Sequence, residues 1–381
     1  MDSFINNNNN NTDKNNSKSF NLNPYNGKIG LYNLGNTCYI NSILQNLKNI
    51  FLLTKLILID ENINIKNDGL SYQYKILLAN VINQDFNNRK IYNPYIFYKI
   101  LNKKESFFTF NKQNDSSSFL ITFLNYLVNE IKIRTLKKSV EYIKFQSNNR
   151  EELDRLKNFQ YNFFLSNNSP IIDIFYGFLE SIFKCNNKGC AYIKFNFQSF
   201  NVLNLPMIYE KNKINCLENA IKFYQKERNH KNEKNIYCPK CKKFDIINQR
   251  KIIGLPKILI INLIRVGNQT FHRFDLKVPY KLEMKDLIEN KNYSQNNYEL
   301  IGFVKHYGGP KSGHNISICK NFFDEKWYLY DDCKVIPLNS KIDTSNSFLY
   351  FYKLFDNEEI KKEDLFIIEK KAENIRNTYI K

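Results

Sequence analysis

Residues 257–266, KILIINLIRV, form an almost unbroken apolar, β-branched run. That is the texture of a buried sheet strand, and a buried strand needs cover on both faces. Other β-type stretches surround it. FNFQSFNVLNLP partly alternates before it, and YELIGFVKHY, GHNISICKN, KWYLYDD and SFLYFYKLF follow as antiparallel candidates. The first part of the chain reads differently. Ile40, Ile43, Leu44, Leu47 and Phe51 recur at i, i+3, i+4 spacing, as do Phe119, Phe123, Leu124 and Leu127, so helices dominate from Asn36 to about Glu130. The expected fold class is α+β, with a mostly helical half first and a β-rich half second. No internal repeat is present. At 381 residues, 43% of them hydrophobic, the chain can bury a substantial core in one large domain or two ordinary ones.

Residues 1–26 are an Asn-rich, low-complexity tail expected to be disordered, and residues 147–151 and 227–235 are expected to be surface loops. Residues 356–381 read as a charged C-terminal surface helix. The formal charge of +19 would ordinarily suggest a nucleic acid or an acidic membrane as partner. The lysines are spread over the whole chain, however, and the surplus of Asn, Lys, Ile, Tyr and Phe follows A/T-rich codons. Neither nucleic acid nor membrane is expected as a partner. The N-terminus has no apolar segment of the kind a signal peptide needs. The most apolar stretch, IFLLTKLILI, is about half the length of a membrane span. Eight cysteines are too few for a disulfide scaffold in a chain this long. A reduced, intracellular protein, cytoplasmic or nuclear, is expected, its thiols free for catalysis or metal.

Cys38 stands where an irregular stretch, GLYNLGNT, meets an amphipathic helical pattern. Asn36 or Thr37 is the expected N-cap, and a thiol in the first helical turn sees the positive end of the helix dipole, which favours the thiolate. A thiolate nucleophile needs a histidine to carry protons and a third group to orient it. The chain offers His230, His272, His306 and His314. His314 follows Gly313, opens a strand-like run and lies shortly before Asp331 and Asp332, which could reach back from a neighbouring strand. His306 is its main rival by position alone.

Cys185-x4-Cys190 and Cys238-x2-Cys241 form a second constellation. Two pairs of thiolates on two turns can build a closed, structural four-cysteine zinc site. YCPKCKK has the spacing of a zinc knuckle, and CNNKGC is looser by two residues. Cys216, Cys319 and Cys333 have no partner by spacing.

Two segments carry a family resemblance. GLYNLGNTCYINSILQNL resembles the Cys box of the ubiquitin-specific proteases (the USP/UBP family), and VKHYGGPKSGHNISICKN with KWYLYDD resembles their His box. QNDSSSFLITFLNYL, IIDIFYGFLESIFKCNNKGC, YCPKCKK and GLPKILIINLIRV lie between them in the family's order. The likeness covers residues 27–355, which as in the small members of the family is little more than a catalytic core. It implies a papain-like cysteine protease shaped like a hand: a helical thumb over about 27–130, zinc-bearing β fingers over about 170–256 and a β-rich palm over about 257–355.

The resemblance implies Cys38 as nucleophile, His314 as general base, Asp331 orienting the histidine, Asp332 supporting it and Asn33 donating to the oxyanion. It also puts Asp115, Ser118, Gly313 and Asn315 at the ubiquitin tail. Two positions depart from the family. Its QQDAHEFL is QNDSSSFL here, so Ser118 stands in place of a glutamate, and its GHY is GHN, so Asn315 replaces an aromatic. The implied activity is hydrolysis after the C-terminal glycine of ubiquitin, with ubiquitin and ubiquitinated proteins as partners and a WD40-repeat protein as a candidate activator. The departures keep two alternatives open: a ubiquitin-binding scaffold of little or no activity, and a protease for a ubiquitin-like modifier.

Overall fold

The computed structural model describes residues 22–379 apart from 24–25, 83–90, 134–142, 210–211, 232–235, 265, 268–269, 272–275, 294–295, 310–312, 340–341 and 356–358. Its helices are α1 (Cys38–Lys48), α2 (Phe51–Ile59), α3 (Leu70–Ile82), α4 (Tyr95–Lys104), α5 (Ser116–Glu130), α6 (Arg150–Ser166), α7 (Pro170–Phe175), α8 (Leu217–Gln225) and α9 (Lys362–Tyr379). The organising element of the second half is an eight-stranded sheet. Along it lie Lys334–Leu338, Trp327–Asp331, Gly313–Lys320, Asn297–Gly308, Ser347–Leu354, Ile258–Ile264 and Leu203–Pro206, with Lys281–Glu283 paired to Asn297–Gly308.

The strand read from the apolar run is central and covered on both faces. Ile258 and Ile260 point into a core shared with α1–α5 and α7, whereas Leu259, Ile261 and Leu263 point into a second core with Leu203, Leu205, Leu217 and Ile221. All five strand residues are buried. Alternation of side chains across a strand thus feeds two hydrophobic layers from one contiguous run.

A separate four-stranded sheet projects from this body, in the order Arg228–Asn229, Ile246–Gly254, Gly177–Cys185, Ile193–Phe200. Helix α6 packs Leu156, Phe159 and Phe163 against Phe178, Phe197 and Ile253 on one side of it. Not all of residues 170–256 belongs to these fingers. Helix α7 buries Ile171, Ile172 and Phe175 in the helical core, Leu203–Pro206 runs parallel to Ile258–Ile264, and α8 packs into the second core. Helix α8 still touches the base of the fingers, where Leu179 and Ile252 share its hydrophobic cluster.

Three expectations about the helices need correcting. Helix α1 is not amphipathic in place, since every one of its residues is buried. Its polar side chains find internal partners for their NH2 groups: Gln45 Nε2 donates to Ile29 O at 3.0 Å, and Asn46 Nδ2 to Ser42 O at 2.9 Å, while Gln45 Oε1 and Asn46 Oδ1 are buried without a partner among the described residues. Residues 147–151 are not all loop, because Asn149 caps α6 by accepting from the Glu152 amide. Helix α9 is no loose surface appendage. Leu365, Ile368 and Ala372 join the helical core, and the helix lies against α2 and α3. The Asn23 amide donates to Glu369 at 3.3 Å and Asn26 is buried, so the end of the Asn-rich segment also belongs to the fold. Residues 1–21 of that segment, and parts of 227–235, lie outside the described residues.

Candidate active site and metal centre

The loop before α1 is shaped by its own polar groups. Gly35 and Asn36 both adopt left-handed backbone, at φ 97° and 54°. A Cβ on Gly35 would meet Asn111 Oδ1 at 2.1 Å, so only glycine fits there. Thr37 is at the N-cap, but its hydroxyl turns back to accept from the Leu34 amide at 2.9 Å and leaves the first turn uncapped by a side chain. Asn36 instead donates to Asn111 O. The expected side-chain cap is therefore absent, and no side chain caps the helix start at Cys38.

Cys38 opens α1 and is 3% exposed. Helix α1 packs on the strand Gly313–Lys320, which carries His314 as its second residue. Asp331 ends the adjacent strand, where Ser317 faces Tyr330. One step beyond that pair, Asp331 falls diagonally across from His314 on the same face and accepts from its Nε2 at 2.6 Å. Cys38 is near enough to the imidazole to be the largest cause raising the His314 pKa from 6.5 to about 9. Partial burial opposes that rise and Asp331 adds to it. The imidazole thus stays protonated at neutral pH between two partners that favour its cation.

Asn33 and Asp332 meet directly. Asn33 Nδ2 donates to Asp332 Oδ2 at 2.8 Å, and Asn33 Oδ1 accepts from the amides of Gly35 and Thr37 at 3.0 and 3.1 Å. The second Asp332 oxygen accepts from Asn41 Nδ2 at 2.7 Å. Asp332 therefore supports the cysteine loop rather than the histidine.

The four expected tail-contacting residues are divided between two places. Asp115 caps α5, and its Oδ1 accepts from the Ser118 amide at 2.7 Å, the Ser118 hydroxyl at 3.0 Å and the Ser117 hydroxyl. Ser118 does not leave a gap; it occupies lone pairs of Asp115. Gly313 lies beside His314, and Gln113 grips its peptide from both sides, donating to Gly313 O at 2.6 Å and accepting from Gly313 N at 3.1 Å. Asn315 is buried, its Oδ1 3.2 Å from His306 Nδ1. His306, the rival histidine, leans over Gly313, where a Cβ would come within 2.3 Å of its Cε1. Its ring nitrogens lie 3.2 Å from Asn315 Oδ1 and 3.2 Å from Gly309 O, which ties it to the hairpin. His272 lies outside the described residues.

Sequence reasoning missed Gln113, Asn41 and Tyr98. Gln113 was within reach, since it stands two residues before Asp115 in a quoted motif. Asn41, one turn after Cys38, was hidden by the assumption that the polar side of α1 faces water. Nothing in the sequence marks Tyr98, which meets the site only through tertiary packing.

At the fingertip, Cys185 ends one strand, Cys190 sits in the following turn, and Cys238 and Cys241 bracket a tight turn before Ile246–Gly254. That turn is closed by Cys238 N to Lys243 O at 2.9 Å and Lys242 N to Cys238 O at 2.8 Å. The four sulfurs lie within 4.8 Å of one another, with 3.6 Å from Cys185 to Cys241 and 3.7 Å from Cys190 to Cys238. Four metal–sulfur bonds of about 2.3 Å in a tetrahedron set sulfur–sulfur edges of about 3.8 Å, so the set fits one metal ion. The C-x4-C spacing causes no misfit. The Lys243 backbone amide is the main reason Cys241 is drawn down to about 7, whereas desolvation pushes Cys185, 3.6 Å away, up to about 12.

A protein-family model, ubiquitin carboxyl-terminal hydrolase, matches residues 29–352. Ubiquitin carboxyl-terminal hydrolase 2 of Homo sapiens is 27% identical over 346 residues, covering 86% of this chain and 55% of that protein. Ubiquitin carboxyl-terminal hydrolase 4 of Saccharomyces cerevisiae is 26% identical over 359 residues, covering 85% of this chain and 39% of that protein. The chain thus spans about half or less of the length of these curated relatives. Among solved structures, the SAGA DUB module of Ubp8, Sgf11, Sus1 and Sgf73 bound to monoubiquitin superposes with a TM-score of 0.65 at 23% identity, covering 90% of this chain and 73% of that one. The same module bound to ubiquitin aldehyde gives 0.64 at 22%, covering 87% and 70%. These likenesses bear on the fold. With its family model matched over most of its length and thiol, imidazole and carboxylate drawn together at one cleft, the chain belongs to the ubiquitin carboxyl-terminal hydrolase family.

Proposed function

We propose that this chain is a thiol-dependent hydrolase that cleaves the peptide or isopeptide bond after the C-terminal glycine of ubiquitin. The observation that carries the reading is the Cys38–His314–Asp331 constellation, with Asp331 accepting from His314 Nε2 at 2.6 Å and Cys38 near enough to the imidazole to raise its pKa. In this reading the Cys38 thiolate attacks the glycine carbonyl, and Asn33 Nδ2 donates to the oxygen as it gains charge. A donor preorganised for that charge is worth about 2.7–4 kcal/mol in other acyl-transfer enzymes. His314, already cationic, protonates the departing amine and then takes a proton from water as the thioester is hydrolysed. Asp331 holds the ring in place through both steps.

The fingertip cysteines are proposed to bind zinc, which supplies no chemistry to the reaction. Cys185, Cys190, Cys238 and Cys241 would hold it and so tie the two finger hairpins together. The solved relatives named above are bound to ubiquitin and, for this chain, ubiquitin and ubiquitinated proteins are the proposed partners. Activation by a WD40-repeat protein rests on the family resemblance alone, and turnover with and without such a partner measures it.

The saturation of Asp115 Oδ1 by Ser117 and Ser118 favours a second reading of specificity. One carboxylate oxygen is left for a basic tail side chain where the family pattern supplies a second acid, so a ubiquitin-like modifier is the rival substrate. The experiment is hydrolysis of fluorogenic C-terminal amides of ubiquitin and its relatives. Turnover abolished in Cys38→Ala is the expected result. No turnover by folded protein, or turnover indifferent to Cys38→Ala, would sink the hydrolase reading.

A further inference from the structure

Asn41 and Tyr98 make no contact that the reaction above requires, yet short hydrogen bonds join them to the active-site loop. Tyr98, buried in α4, donates its hydroxyl to Asn41 Oδ1 at 2.6 Å. Asn41 donates Nδ2 to Asp332 Oδ1 at 2.7 Å, and Asp332 Oδ2 accepts from Asn33 at 2.8 Å. Each link has one possible polarity. A carboxylate only accepts, so both asparagines must turn their NH2 groups toward Asp332. That leaves Asn41 Oδ1 buried and in need of a donor, and Tyr98 is that donor.

The same logic fixes Asn33. Its oxygen satisfies the amides of Gly35 and Thr37, which only donate, so the side-chain amide cannot flip. One Nδ2 hydrogen is tied to Asp332, and the other has no acceptor among the described residues. Asp332 reaches both asparagines from a left-handed backbone at φ 46°, an uncommon conformation for a residue with a side chain. Such strain persists where the surroundings over-determine it.

We propose that Tyr98 and Asn41 are positioning residues: a Tyr98–Asn41–Asp332 relay locks the orientation of the Asn33 amide and presents its second N–H to the oxyanion. The proposal rests on the hydrolase reading. It predicts that a hydroxyl on the helical lobe, which touches neither substrate nor the triad, controls transition-state stabilisation and not thiol reactivity.

Tyr98→Phe tests it, read by kcat and KM on the ubiquitin amide, by the rate of Cys38 alkylation with iodoacetamide, and by thermal melting. Alkylation displaces iodide at a saturated carbon and builds no oxyanion, so it reports the thiolate alone. The relay predicts a fall in kcat of about tenfold, less than the 10²–10³ of deleting such a donor outright. KM and the alkylation rate should stay within about twofold. Asp332→Asn should cost more, and adding Tyr98→Phe to it should cost nothing further, because both act on one relay. Should Tyr98→Phe not fold, Asn41→Ser is read in the same way, since serine is too short to reach Asp332. An unchanged kcat, or kcat and alkylation falling together, would overturn the relay. Wild-type protein without turnover would overturn the hydrolase reading and the relay with it. Turnover that is equal in wild type and Tyr98→Phe overturns the relay alone.

Discussion

The catalytic cleft and the fingertip both gather polar groups at strand ends and turns, but they are held together by different means. At the fingertip, two short turns bring four thiols within 4.8 Å. Each spacing keeps two thiols on one turn and the pairing of the finger strands sets the turns side by side; in the proposed reading a metal ion supplies what the small apolar core there cannot. In the cleft, the partners of the cysteine loop come from the far end of the chain. Asp332 bonds Asn33 and Asn41 across sequence separations of 299 and 291 residues. No local turn can enforce that; only the packing of α1 on the sheet does, through two hydrophobic layers. One region is a chemical staple on a projection, and the other a set of polar groups positioned by a core.

Substitutions should separate the two regions, and the largest effect belongs to the cleft. His314→Ala is expected to lower kcat by about 10³-fold or more while leaving the melting temperature nearly unchanged, since the side chain is 41% exposed. Kinetics on the ubiquitin amide, with a melting curve beside it, check both halves. If the melting temperature collapses instead, the cleft is structural in the way the fingertip is.

Asp331→Asn is next. Removing this carboxylate lets the His314 pKa fall, because Asp331 is one of the groups that raise it. In the proposed reaction the imidazolium, present below about pH 9 and lost above it, is the acid that protonates the leaving group. Wild-type kcat/KM should therefore drop on an alkaline limb near pH 9, and the variant's limb should shift to lower pH with kcat down about 10²-fold or more. The sign for stability is the same. A raised histidine pKa contributes stability fully below about pH 6.5, and that contribution is lost as pH rises through about 9.

The staple should break differently. Cys238→Ser, or a strong chelator, is expected to lower the melting temperature by several degrees, at about 2–4 °C per kcal/mol for a domain of 150–250 residues. KM should rise while kcat stays within about twofold. Metal analysis should find one zinc ion per wild-type chain and none in the variant. A fall in kcat as large as that of His314→Ala would show that the two regions are not separable.

Ser118→Glu restores the acid of the family pattern at the start of α5. A charge-assisted hydrogen bond is worth about 1.5–3 kcal/mol, so the Kd for ubiquitin should tighten by roughly tenfold, measured by calorimetry on Cys38→Ala protein. An unchanged Kd would mean that Asp115 alone sets that contact.

The smallest effect is expected at the finger base. Burial pushes the Glu180 carboxyl up to about 8, and the neighbouring Glu152 adds to the rise. The folded protein thus holds a proton to about pH 8 that the unfolded chain releases near 4.5, and stability should decline across that interval. Glu180→Gln should flatten the decline in melting temperature from pH 5 to 8. A decline of equal slope in the variant would assign it elsewhere.

That Cys38, His314 and Asp331 come together was legible because the proposed chemistry needs thiol, imidazole and carboxylate, and their flanking residues resemble family motifs. The four fingertip cysteines were legible as a candidate metal set because each short spacing keeps two thiols on one turn, and the paired finger strands then bring the turns together. Residues 257–266 announced a buried strand because only a doubly covered strand tolerates so continuous an apolar run, and the split of Ile258 and Ile260 from Leu259, Ile261 and Leu263 is what that requires. The tertiary structure alone decided the rest. It buried the polar side of α1, turned Asp332 toward the cysteine loop, and folded α7, α8 and Leu203–Pro206 back onto the body. In each case the deciding contact is made by residues far apart in sequence, whose meeting depends on how the layers pack. A single sequence carries the local chemistry of such residues but leaves their partners unstated.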